Sequence, residues 1–247
     1  MSEISTARFE VTVAENEAEH AALGAEIVAR AIDEAVRTRG SARVALSGGS
    51  TPGPVYRRLA QMALPLDRID WFWVDERAGD PASPRSNYRA AHADLGLDRE
   101  GVPEGRVHRM EAEDADLAAA AARYEILLRR TFGVASAAAF DVLTLGVGDD
   151  GHTASLFPGM GSTAIDDRLV AAIPAQPSKG LEARLTLTAP VLCEARVVLF
   201  LARGAQKQRP IASAWTDGPE DEVPARVLLH ARGQVHWLLD RGAYPTG

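Results

Sequence analysis

Four short polar segments carry most of the side chains able to do chemistry, and each one follows an apolar run. Ser47-Gly48-Gly49-Ser50-Thr51-Pro52 follows the run 43–46. Asp75-Glu76-Arg77 follows IDWFWV. Gly146-Val147-Gly148-Asp149-Asp150-Gly151-His152 closes the run FDVLTLGV. Arg203-Gly204-Ala205-Gln206-Lys207 follows the run 196–201. Two glycines in the first segment let the backbone approach a ligand, and free N–H groups there suit a phosphate. The segment lacks the GxxxxGK[ST] spacing of a P-loop. The competing reading is an ordinary turn in which Ser50 or Thr51 caps the next helix.

Three charges at the end of a buried strand, Asp75-Glu76-Arg77, are costly unless they face a cleft or pair with one another. A solvated turn with an ion pair is the plainer alternative. The third segment matches GxGxxG, the dinucleotide fingerprint. Two aspartates inside it would repel a pyrophosphate, and Pro158 and Gly159 come too soon for a long helix. His152 instead stands beside carboxylates that can orient it for general-base work. The other five histidines, His20, His92, His108, His230 and His236, have no such setting and read as structural.

Of the 27 basic residues only Lys179 and Lys207 are lysines. Lys207 sits where a strand-end loop enters a helix, and a compact ammonium there can meet a phosphate as a point charge. Arg184, at the head of RLTLT, is a further cation candidate. The chain has no GxSxG elbow, HExxH or Cys/His cluster, so neither a serine-hydrolase triad nor a zinc site is expected.

The elements that must position these segments follow from the apolar spacing. Residues 9–13, 43–46, 69–74, 140–147, 169–173, 184–187, 196–201 and 235–239 read as strands, and 17–37, 52–62, 86–93, 114–132 and 206–214 as helices. Strands alternating with helices imply an α/β fold, with a mostly parallel sheet covered on both faces by helices. No long polar linker divides the chain, so one domain over residues 1–247 is expected. Ligands in such sheets sit at the carboxyl ends of the strands.

Composition agrees with a globular α/β chain: 247 residues, 46% hydrophobic and 25% charged. A net charge of −7 argues against nucleic acid as a partner. No apolar stretch reaches the ~20 residues that span a bilayer, and the acidic N-terminus MSEISTARFEV does not read as a secretory signal. The single cysteine, Cys193, cannot form an internal disulfide and reads as a packing residue, which favours the cytoplasm.

Taken in order, VALSGGSTP, WFWVDERAGDPASPRSNYRAA, FDVLTLGVGDDGHTASLFPG and RLTLTAPVLCEARVVLFLARGAQK resemble the 6-phosphogluconolactonase family. The resemblance implies a Rossmann-like α/β domain, shared with glucosamine-6-phosphate deaminases and ribose-5-phosphate isomerases. It also implies hydrolysis of 6-phospho-D-glucono-1,5-lactone in the oxidative pentose phosphate pathway, with no metal or organic cofactor. On this resemblance the catalytic residues are His152 as general base, with Asp150 and Asp75 contacting or orienting the histidine and the sugar. Ser47, Gly48, Gly49, Ser50, Thr51, Arg77, Arg184 and Lys207 would bind the phosphate and nearby sugar oxygens. The partner is then a small phosphorylated sugar lactone, bound by a monomer or small homo-oligomer. After Arg77 the chain has Ala78-Gly79 where the family commonly has a hydrophobic or aromatic residue.

The nearest alternative is a glucosamine-6-phosphate deaminase, which resembles HIAFNEP and places a carboxylate five positions beyond the histidine. Here that position is Phe157, and Arg77 stands where the deaminases usually have an aromatic residue. The segment around Phe157 is expected to form an apolar wall over the sugar. A sugar-phosphate-binding regulator on the same fold is a second alternative, and a fused DNA-binding module would favour it. No such module is legible in these residues.

Overall fold

Alternate residues of a strand point to opposite faces, and here both faces are apolar. Val44, Leu46, Trp71, Trp73, Leu199, Leu201 and Leu238 pack into one core, and Ala45, Phe72, Val198, Phe200 and Trp237 into another. The computed structural model describes residues 9–133 and 138–245. Residues 1–8, part of the stretch read above as lacking a secretory signal, lie outside them.

Six strands form one sheet in the order β1-β9-β8-β5-β2-β3. They are β1 (Phe9–Ala14), β2 (Ala42–Leu46), β3 (Ile69–Trp73), β5 (Val142–Leu145), β8 (Val197–Ala202) and β9 (Gln234–Asp240), and every neighbouring pair is parallel. Helices α1 (Glu17–Arg39), α2 (Gly53–Leu59) and α3 (Asn87–Leu95) cover the first core. Helices α4 (Leu117–Phe132), α5 (Ala189–Glu194) and α6 (Gln208–Ala214) cover the second. This is the single α/β unit with helices on both faces that the sequence implied. Among the described residues no helix is long and apolar enough to cross a membrane.

The structure departs from the sequence reading in three places. A second sheet, β4-β7-β6, is built antiparallel from β4 (Asp75–Arg77), β7 (Arg184–Leu187) and β6 (Val170–Ile173). Asp75-Glu76-Arg77 is therefore a strand and not a solvated turn. Val74 joins the two sheets: its N–H donates to Leu46 O of β2 (2.9 Å), and its carbonyl accepts from Leu187 N of β7 (2.8 Å). Secondly, α2 ends at Leu59 and its cap is Pro52, which already has helical angles and offers no side-chain oxygen, so neither Ser50 nor Thr51 caps it. Thirdly, α5 breaks the apolar stretch around Cys193; six residues are too few to show a helical period. Cys193 does pack: its Sγ donates to Val227 O at 3.1 Å, and burial pushes its thiol up to about 12.

Candidate active site

The carboxyl ends of β2, β5 and β8, together with the small sheet, enclose a cleft of about 670 Å³. Its floor begins at Ser47. The Ser47 N–H lies 3.0 Å from Tyr56 Oη and 2.9 Å from Thr144 Oγ1, and Tyr56 Oη donates back to Ser47 O at 2.9 Å. Tyr56 is fully buried, and burial pushes its phenol up to about 12. Ser47 therefore anchors the loop, while among the described residues the N–H groups of Gly48, Gly49, Ser50 and Thr51 have no partner. A Cβ on Gly48 would stand 1.9 Å from Asn87 Oδ1, so only glycine lets the loop lie against the start of α3. Gly49 has φ +95°, which favours glycine. The result is a concave row of donors suited to an anion.

The small sheet supplies the facing wall. Asp75 is buried; Asn87 Nδ2 donates to its Oδ1 (3.0 Å) and Ser155 Oγ to its Oδ2 (2.6 Å). Arg184 Nη1 lies 3.7 Å from the same Oδ2, so Asp75 holds an arginine as well as the start of α3. Glu76 faces away from the cleft. Its carboxylate accepts from the N–H groups of Arg77, Asn87 and Tyr88 and from Ser86 Oγ, capping α3 together with Ser86. Burial pushes the Glu76 carboxyl up, against the pull of these donors.

Arg77 and Arg184 both line the cleft. Arg77 Nη1 donates to Arg85 O at 2.6 Å. Arg184 is mostly buried, with its guanidinium 5.7 Å from the centre of the Phe157 ring and its Nε without a partner among the described residues. Burial pulls the Arg184 pKa below its ordinary value, Asp75 opposes that pull, and the charge of Arg77 adds to it.

His152 comes from the loop after β5. Its Nδ1 lies 2.6 Å from Asp150 Oδ1, which also accepts the His152 N–H at 3.1 Å. With Nδ1 donating to the carboxylate, Nε2 is the nitrogen free to take a proton. Burial works to raise the Asp150 pKa, but the bond and charge of His152 outweigh it and hold the group at about 2. The ring needs glycine beneath it: a Cβ on Gly148 would stand 2.0 Å from Nδ1. Gly151, at φ +88°, turns the loop, and its carbonyl accepts from Ala225 N at 3.0 Å. The next helical turn after His152 is the short one at Ser162–Ala164, so the GxGxxG match builds no dinucleotide site.

Lys207 closes the opposite rim. Its Nζ donates to Val147 O (2.8 Å) and to Asp149 Oδ1 (2.6 Å). The structure thus brings His152, Asp75, Arg77, Arg184, Lys207 and the Ser47–Thr51 loop to one cleft, with Asp150 behind the histidine. None of the other five histidines lines it, and Lys179 points to Pro158 O instead. Phe157 does not form a wall over the cleft. It is buried beneath His152, with ring centres 4.7 Å apart, because an aromatic ring there fills the core between the histidine and Arg184. Among the described residues no cluster of three His, Cys, Asp or Glu side chains is placed to hold a metal ion.

Sequence reasoning missed Asn87, Arg57 and Glu17, and singled out Lys207 but not Arg203 within their shared segment; all of these line the cleft. Arg203 Nη1 pairs with Glu17 Oε2 at 2.7 Å, and Arg57 Nη1 with Asp94 Oδ1 at 2.6 Å. Each pair joins residues far apart in sequence. Ala154, at φ +48°, was missed too, a left-handed backbone that nothing in its residue type announces.

Residues 15–237 match the sequence family described as glucosamine-6-phosphate isomerases/6-phosphogluconolactonase. The chain belongs to this family. Within it, a protein of Synechocystis sp. named 6-phosphogluconolactonase is 40% identical over 215 residues, covering 86% of this chain and 87% of that one. The solved structure of 6-phosphogluconolactonase from Trypanosoma cruzi superposes with a TM-score of 0.84 at 28% identity, covering 95% of each chain. A monomeric glucosamine-6-phosphate deaminase superposes at 0.78 with 24% identity over 95% of this chain and 98% of that one. That likeness is of fold alone, so the fold does not separate the two branches of the family.

Proposed function

We propose that this chain hydrolyses 6-phospho-D-glucono-1,5-lactone to 6-phospho-D-gluconate, with His152 as general base. The observation that carries the reading is the His152–Asp150 pair set in a cleft that Arg77, Arg184 and Lys207 also line. Relatives alike over most of their length bear the name of that lactonase. In the proposed reaction His152 Nε2 takes a proton from water as the oxygen attacks the lactone C1. The charge developing on the carbonyl oxygen is stabilised by donors already fixed in the cleft. The tetrahedral intermediate collapses with cleavage of the bond from C1 to the ring oxygen. The proton held by the imidazolium is then available to the departing oxygen. The Gly48–Thr51 N–H row, Arg77, Arg184 and Lys207 hold the phosphate and nearby sugar oxygens, fixing C1 against the histidine. As a step of the oxidative pentose phosphate pathway, this would place the enzyme in the cytoplasm.

The deaminase reading needs further acid/base groups for its several proton transfers. Phe157, where the deaminases carry an acid, is a buried ring packed on His152. The test is a coupled assay on freshly generated lactone, corrected for spontaneous hydrolysis, with glucosamine 6-phosphate run in parallel. The expected result is lactone turnover that falls by about 100- to 10,000-fold in a folded His152→Ala variant. Near-normal turnover in that variant would remove the general-base role. Ammonia release at a rate comparable with lactone hydrolysis would restore the deaminase.

A further inference from the structure

Lys207 is held twice. Its ammonium has three N–H donors. One goes to the carbonyl of Val147 and another to the carboxylate of Asp149, and both acceptors belong to the loop that carries His152. The two partners differ in kind. Val147 O is a backbone acceptor two residues beyond β5 and cannot swing away as a side chain can. The Asp149 side chain is 71% exposed and free to turn into solvent, whereas that of Lys207 is 20% exposed. Among the described residues Asp149 is the only carboxylate paired with this lysine. The Val147 carbonyl also holds the ammonium, so Asp149 is not its only anchor. What Asp149 adds is a negative charge at the rim beside Lys207, whereas the cleft's other carboxylates, Asp75 and Glu17, are paired with Arg184 and Arg203.

We propose that Asp149 drives product release: its carboxylate competes with the bound phosphate for the Lys207 ammonium and repels the product more than the lactone. The proposal rests on the reading above that Lys207 meets the ligand's phosphate. Charge balance gives the discrimination. The lactone carries only the charge of its phosphate. Hydrolysis adds hydroxyl to C1 and hydrogen to the ring oxygen, and the resulting carboxylic acid ionises at neutral pH, so the product carries one more negative charge. A carboxylate at the rim opposes each ligand in proportion to its charge. A ligand entering the cleft displaces Asp149 from Lys207, and the displaced carboxylate, once unpaired, faces the product's two anionic groups. Had Asp149 served to place Lys207, removing its charge would weaken every ligand instead.

Asp149→Asn keeps the size and a hydrogen-bond acceptor and removes only the charge, at an exposed position. The experiment measures KM for the lactone and the inhibition constants of 6-phosphogluconate and inorganic phosphate, in wild type, Asp149→Asn and Lys207→Ala, at low and high salt. The expected result is product inhibition tightened about 3- to 5-fold in Asp149→Asn, with a smaller fall in KM. The difference should shrink at high salt. Lys207→Ala is expected to weaken inhibition by both anions. Unchanged or weakened product inhibition in Asp149→Asn, with Lys207→Ala still weakening phosphate, would overturn the role of Asp149 and leave the phosphate site standing. If Lys207→Ala leaves phosphate inhibition untouched, the phosphate is held elsewhere, and the proposal falls with that reading.

Discussion

Arg77 and Arg184 stand directly opposite each other in the antiparallel register of β4 and β7. Like charges in that position destabilise a sheet. Asp75 reaches Arg184, and a backbone carbonyl reaches Arg77, but among the described residues no acid pairs with Arg77 within 4 Å. The two guanidinium groups thus stand side by side at the cleft, an arrangement that suits an anion. Replacing either arginine by alanine should cost about 1.5–3 kcal/mol of ligand binding. That appears as a roughly 10- to 100-fold rise in KM for the phosphorylated lactone, with kcat less affected. Inorganic phosphate should raise the melting temperature of the wild type more than that of either variant. Unchanged kinetics in both variants would put the anion elsewhere.

Asp150 should matter to the rate more than to binding. In Asp150→Asn the amide can present a donor to Nδ1 and reverse the tautomer, so kcat is expected to fall by about 100- to 10,000-fold with KM little changed. The same residue has a signature in stability. Its folded pKa of about 2 lies below the ordinary 3.8, so its ionised form is the one that the fold favours. The contribution is complete above about pH 4 and is lost as pH falls through about 2. Acid unfolding of wild type and Asp150→Asn should converge across that window. The group is half exposed, so the gap between the two curves should be small. Parallel curves down to the lowest pH would contradict it.

Gly148→Ala tests whether the seat of the histidine ring matters. The new Cβ would lie 2.0 Å from Nδ1, 2.2 Å from Cε1 and 2.6 Å from Asp150 Oδ1, so the ring must move and its bond to Asp150 must break. A displacement on the order of 1 Å costs about 100-fold in kcat. KM should hold, because the cations sit on other elements. Full activity in a folded Gly148→Ala protein would show that the ring position is not critical.

Glu76 should be a residue of stability. Glu76→Ala strips the acceptor from three backbone N–H groups and from Ser86 Oγ where β4 meets the start of α3. A loss of about 2–4 kcal/mol is expected, with a melting temperature lower by about 4–12 °C. Calorimetry of the purified variant reads this directly. An unchanged transition would mean that water replaces the carboxylate at no cost.

Much of this site was legible because a strand buried on both faces is a continuous apolar run, and its abrupt polar end marks the ligand edge of the sheet. That logic located the loops of Ser47, His152 and Lys207. It placed Asp75 and Arg77 correctly at the cleft but gave them the wrong backbone, since three residues are too few to show strand alternation and their partner, Arg184, is over a hundred positions away. Asn87 escaped for a similar reason. It reads as an ordinary helix-start residue, and only the fold reveals that Asp75 and Gly48 both depend on it. Phe157 was assigned the wrong surface, because a pattern of residue types does not say which side of a histidine its neighbour will occupy.

Val74 has a consequence for motion. Its N–H is tied to the large sheet and its carbonyl to the small one, so one peptide segment belongs to both. Tilting either sheet against the other would break one of these bonds at a fully buried position. The two walls that carry Arg77 and Arg184 on one side and His152 on the other are therefore tied together at Val74. The amide of Val74 should be among the slowest in the chain to exchange with deuterium, and adjustment to an incoming ligand falls to rotating side chains at the rim.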